Sequence, residues 1–157
     1  RLDECFTAAA GHGCQLNHQP VRISATDDLM QALLATGFPH RRHLLEDNNL
    51  ENFNRLFLKQ RGVRRMGSAA ADLAYLACGR LDAFWELHLG PYDVAAGGLL
   101  VREAGGVVDT IESGGDWIHG CSILAGPEAL VQQIRDVLLK DRPAGYPPLG
   151  DRVSNGE

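Results

Sequence analysis

Missing from these 157 residues is any apolar run approaching the roughly 18 needed to cross a bilayer as a helix. Also missing is an excess of positive charge. The formal net charge is −5, which argues against general binding to nucleic acid or to an anionic membrane, since both need a basic face. The opening residues Arg1-Leu2-Asp3-Glu4 show neither a basic n-region nor an apolar h-region, so no signal peptide is read there. The four cysteines, Cys5, Cys14, Cys78 and Cys121, form no Cys-x-x-Cys pair, and the six histidines are equally dispersed. That spacing argues against a zinc site and fits free thiols in a reducing, cytoplasmic compartment. There is no internal repeat and no initiator Met, and Glu4 to Ala8 already reads as a strand, which suggests that an N-terminal portion precedes the chain.

What is present is an ordinary globular composition, 45% apolar and 22% charged, in a chain long enough for one domain with a buried core. Glu4 to Ala8, Cys14 to Leu16 and Val21 to Ser24 read as antiparallel strands. Asn17-His18 makes the tight turn, although His18 stands where a type I′ turn prefers Gly. Gln31 to Thr36 reads as a short buried strand, and His40 to Asn49 as a polar, mobile loop carrying Arg41 and Arg42. Leu50, Phe53, Leu56 and Phe57 have the spacing of an amphipathic helix, and Val63 to Met66 that of a strand. Gly67-Ser68 opens another helix with Ser68 as N-cap, ended by Gly79. Asp82 to Leu89 is a strand broken by Gly90-Pro91, and Pro91 suits the first turn of a helix that runs to about Ala104. Val107-Val108 and Ser122 to Leu124 are two more strands, and Pro127 to Lys140 is the clearest helix. The fold class is therefore α/β, with a sheet covered by helices, over residues 1–140; residues 141–157, rich in Pro, Gly and polar residues, are expected to be a disordered tail.

The stretch from Met66 to Gly106 holds two helices that each begin directly after a strand. Such junctions bind anions, because free N–H groups and the helix dipole point outward there. Asp93 lies in the first turn of its helix, where the dipole keeps a carboxylate ionised, as a ligand for a hard cation must be. On spacing alone, an Asp in a first helical turn is more often a simple cap. Gly97-Gly98 could serve only close helix packing, and Gly105-Gly106 only a C-cap.

Tyr92-Asp93-Val94-Ala95-Ala96-Gly97-Gly98 through Glu103-Ala104-Gly105-Gly106 resembles the C-terminal signature of the inositol monophosphatase family: an aromatic, an Asp, a small-residue helix start and a closing Glu-Ala-Gly-Gly. Gly67-Ser68-Ala69-Ala70, Ala77 to Glu86, and Glu4 to Ala8 with Leu16-Asn17 resemble further segments in family order, so the similarity extends from about Asp3 to Leu139. The resemblance implies a layered αβαβα sugar phosphatase fold, of which this chain would supply the C-terminal sheet and helices. It implies hydrolysis of inositol monophosphate or a related sugar phosphate with two or three Mg²⁺ ions, lithium inhibition and a homodimer. It makes Asp93 the catalytic metal ligand, Glu86 a partner for a substrate hydroxyl, and Gly67, Ser68 and Ala69 the pocket lining beside the phosphate. Relatives acting on fructose 1,6-bisphosphate or histidinol phosphate share the framework. The family's Glu-Glu segment and Asp-Pro-x-Asp-Gly-Thr loop do not occur here. Asp27-Asp28 is followed by Leu29-Met30 instead. The fragment alone is thus expected to be inactive, and a non-catalytic partner-binding half is the alternative from another class.

Overall fold

The computed structural model describes residues 3–140, so the expected tail lies outside the described residues. A three-stranded antiparallel sheet comes first: β1 (Phe6–Ala8), β2 (Cys14–Leu16) and β3 (Gln19–Val21). Asn17 and His18 both take left-handed backbone, with φ of 49° and 66°, as the tight β2–β3 turn demands. Asn17 Oδ1 accepts from the Cys5 N–H at 2.8 Å. The third strand begins at Gln19, ahead of the expected Val21, because the two-residue turn sets its register.

The second sheet has five strands in the order β5-β4-β6-β8-β7. After a one-turn 3₁₀ helix at Leu29–Gln31 come β4 (Leu33–Thr36), α1 (Leu50–Phe57), β5 (Gly62–Arg64), α2 (Ala69–Ala77) and β6 (Ala83–Leu87). They are followed by α3 (Pro91–Glu103), β7 (Val107–Asp109), β8 (Ser122–Gly126) and α4 (Glu128–Leu139). β5, β4 and β6 run parallel, while β8 pairs antiparallel with both β6 and β7.

Period-2 alternation divides the fully buried β6 between two cores. Ala83, Trp85 and Leu87 face one way, packing with Leu56 of α1 and Leu130, Ile134 and Leu138 of α4. Phe84 faces the other way, against Leu73 and Leu76 of α2 and Val94 and Val101 of α3. Each wholly buried Leu or Ile stabilises by about 1.5–3 kcal/mol relative to exposure, so both faces are firmly covered. The first sheet lies beyond α2 and α3, with Cys14 and Val21 in the second core and the Phe6 ring 6.4 Å from that of Tyr75. The order of layers is helices, sheet, helices, sheet.

Gly97 sits where α3 meets α2, and a Cβ there would fall 2.6 Å from Leu73 Cβ. Close packing is the role of that glycine. Glu103, closing α3, accepts the N–H groups of Gly11 and Gly13 at 2.9 and 2.8 Å and ties the β1–β2 hairpin to the helix. Ser68 caps α2 as expected, and Pro91 occupies the first turn of α3. Pro127, expected to open the last helix, stands just ahead of it as the N-cap.

The candidate substrate pocket

Three parallel strands end side by side, and their carboxyl ends are where open α/β sheets bind ligands. Gly37 to His40 leave β4, Arg65 to Ala70 lead from β5 into α2, and His88 to Asp93 lead from β6 into α3. Together they line a cleft of about 350 Å³. All five residues singled out from the sequence, Gly67, Ser68, Ala69, Glu86 and Asp93, are on its wall.

Glu86 stands on the same face of β6 as Phe84, so alternation aims it at α2 and α3. It is only 8% exposed, and no described side chain or backbone N–H donates a hydrogen bond to its carboxylate. Burial lifts the Glu86 carboxyl to about 7; the Asp72 and Asp93 carboxylates push it the same way and the Arg65 guanidinium opposes them.

Asp93 reaches back from the first turn of α3, and its Oδ2 accepts the Gly90 N–H at 2.9 Å. The capping role is therefore real, and it coexists with a place on the pocket wall, since only one of the two oxygens is used. Ser68 Oγ accepts from the Ala71 N–H at 3.4 Å and so fixes the start of α2, while the side chain stays exposed in the cleft.

Sequence reasoning passed over Asp72. It is 1% exposed, lines the same cleft, and its Oδ1 has no hydrogen-bond partner. Burial raises it to about 7, with Arg65 opposing. The signal was available: Asp72 is the one charged residue in the otherwise small and apolar α2. A carboxylate on such a helix is unusual unless it serves a site.

The 40–49 stretch is an irregular polar segment as expected, with one feature its sequence did not suggest. Arg41 and Arg42 are exposed, but the stretch ends in a fixed point, because Asn49 is 1% exposed and bonded on every side. Its Nδ2 donates to Thr36 Oγ1 and the Gly37 carbonyl at 2.9 and 2.7 Å, and its Oδ1 accepts from Trp85 Nε1 at 2.9 Å. The His88 ring meets the Asp47 carbonyl at 2.9 Å. A polar sequence concealed a buried polar latch.

Fold and pocket together define a layered α/β protein with a carboxylate-bearing cleft at the ends of parallel strands. The sequence profile of the inositol monophosphatase family matches residues 2–141, and the chain belongs to that family. It is 40% identical over 142 residues to an inositol-1-monophosphatase of Rhizobium meliloti, covering 90% of this chain and 53% of the relative. It is 46% identical over 125 residues to the Nus factor SuhB of Pseudomonas aeruginosa, covering 78% of this chain and 46% of that one. Among solved structures, an inositol monophosphatase from Anabaena (Nostoc) superposes with a TM-score of 0.86 at 42% identity, over 90% of this chain and 58% of the other. The chain spans about half the length of the curated relatives it matches.

Proposed function

We propose that this chain forms the substrate-facing part of a magnesium-dependent phosphomonoesterase acting on inositol monophosphate or a closely related polyol phosphate. The observation that carries the reading is Glu86: a carboxylate 8% exposed, on the wall of the cleft and without a protein donor. A buried acceptor left open in this way suits a ligand rich in hydroxyl groups, which would donate to it and orient the ring. The helix N-terminus at Ser68 and Ala69, preceded by Gly67 with φ of 90°, suits the phosphate beside them.

Asp93 keeps one carboxylate oxygen for a cation, and hard oxygen donors suit Mg²⁺. One ligand is not a site. Among the described residues no group of three or more His, Cys, Asp or Glu could hold a metal. These residues do not form a magnesium centre on their own, and the hydrolytic step is not theirs to carry. A cytoplasmic homodimer belongs to the same reading; all four cysteines are free, and no described helix is long and apolar enough to cross a membrane.

The test is phosphate release by the full gene product with Mg²⁺, comparing inositol 1-phosphate, fructose 1,6-bisphosphate and histidinol phosphate. Inositol 1-phosphate should be turned over fastest, and Asp93→Asn should cut release by orders of magnitude while the fold persists. Near-wild-type turnover in that variant would remove Asp93 from the metal site. The 157-residue chain by itself should release nothing above a protein-free blank.

A second reading, a partner-binding protein without catalysis, draws on two observations: the lack of a metal cluster among the described residues, and relatives that bear the name Nus factor. Macromolecular partners, nucleic acid included, belong to that reading. Absence of turnover on all three substrates would favour it.

A further inference from the structure

The Glu86 carboxylate occupies space that almost any other residue at position 37 would fill. A Cβ built on Gly37 would overlap both oxygens and the carboxyl carbon of Glu86. The two residues are brought together by register: Thr36 pairs with Trp85 across the parallel β4–β6 ladder, so the next residue of each strand lies side by side where the strands leave the sheet. Gly37 lies one residue past the end of β4, so the strand ladder does not reach it. The Asn49 side chain does so instead, gripping the Gly37 carbonyl and Thr36 Oγ1 while accepting from the indole of Trp85, the residue next to Glu86. Asn49 has φ of 73°, and its Oδ1 also accepts from Asn52 Nδ2 at 3.2 Å, so the latch is fixed from within α1 as well.

We infer that Gly37, clamped by Asn49, is a specificity-determining position: its missing side chain is the seat of the Glu86 carboxylate, and the seat decides whether the cleft reads ligand hydroxyl groups. The inference rests on the proposed substrate class and adds to it the residue that sets the geometry. Gly37 touches no ligand in this role. It acts through Glu86, and an added methyl group would turn the carboxylate away from the cleft without altering Asp93 or the start of α2.

The test uses the full gene product with Mg²⁺ and two probes, inositol 1-phosphate, which carries ring hydroxyls, and 4-nitrophenyl phosphate, which carries none. Gly37→Ala should lower kcat/KM for inositol 1-phosphate by about 10- to 100-fold, the scale of a lost hydrogen bond to a charged group, and lower it less than about threefold for 4-nitrophenyl phosphate. In a Glu86→Ala background, Gly37→Ala should change neither figure, since the carboxylate that needed the space is gone. If Gly37→Ala fails to fold while Gly37→Ala/Glu86→Ala folds, the competition for one space is demonstrated directly. Equal losses on both probes, an undiminished effect in the Glu86→Ala background, or failure of both variants to fold would each overturn the inference. Glu86→Ala that leaves the ratio between the probes unchanged would sink the hydroxyl-reading role of Glu86 itself, and this inference with it.

Discussion

Asp72 gives the sharpest physical test of the pocket, because it needs no substrate. Its carboxyl titrates near 3.8 when free and near 7 in the fold, raised by burial against the partial relief of Arg65. A carboxyl with a raised folded value binds its proton more tightly in the native state than in the unfolded chain. Its contribution to stability is therefore complete below about pH 4 and is lost as pH climbs through about 7, the opposite of a salt-bridged aspartate. At about 1.4 kcal/mol per tenfold change in proton affinity, a span of three decades corresponds to about 4 kcal/mol. Glu86 rises to about 7 beside it, so the two titrate as a pair and their losses overlap; about 2–4 kcal/mol is expected for Asp72. The perturbation is Asp72→Asn, which keeps the shape and removes the ionisation. The assay is urea unfolding from pH 4.5 to 8.5 in EDTA, followed by the fluorescence of Trp85 and Trp117, with the slope m checked for constancy. The wild-type chain should lose stability across that range relative to the variant, and at pH 8 the variant should be the more stable by about 1–3 kcal/mol. A difference between the two that stays constant with pH would refute the claim that the fold holds a buried proton at this position.

Two other predictions concern packing and the hairpin. Gly97→Ala should destabilise by about 1–3 kcal/mol, as overpacking does, because its methyl group would fall 2.6 Å from Leu73 Cβ at the α2–α3 contact; an unchanged urea midpoint would mean the helices separate freely. Glu103→Gln should lower the denaturation midpoint and speed amide exchange at Gly11 and Gly13, whose N–H groups hold the Glu103 carboxyl below its ordinary range; unchanged exchange would show that the hairpin stands without its anchor.

Much of the chain could be read without coordinates, where local rules and tertiary packing agree. Ser68 as cap and Pro91 in a first helical turn obey constraints set within four residues, and both stand as read. The pocket wall was legible in part for a different reason: Gly67, Ser68, Ala69, Glu86 and Asp93 sit in segments whose order resembles a family, not in a pattern that spacing alone would reveal.

Sequence alone determined the α/β class and the element order, because each follows from contacts near in the chain or from motif order. Only the tertiary structure decided that Asp72 joins Glu86, that Gly37 makes room for it, and that Asn49 in a polar stretch is a buried latch. Those facts depend on strand register between β4 and β6 and on which face of α2 turns toward the cleft, and residues 13 to 49 positions apart meet only when the parallel sheet brings its strand ends together.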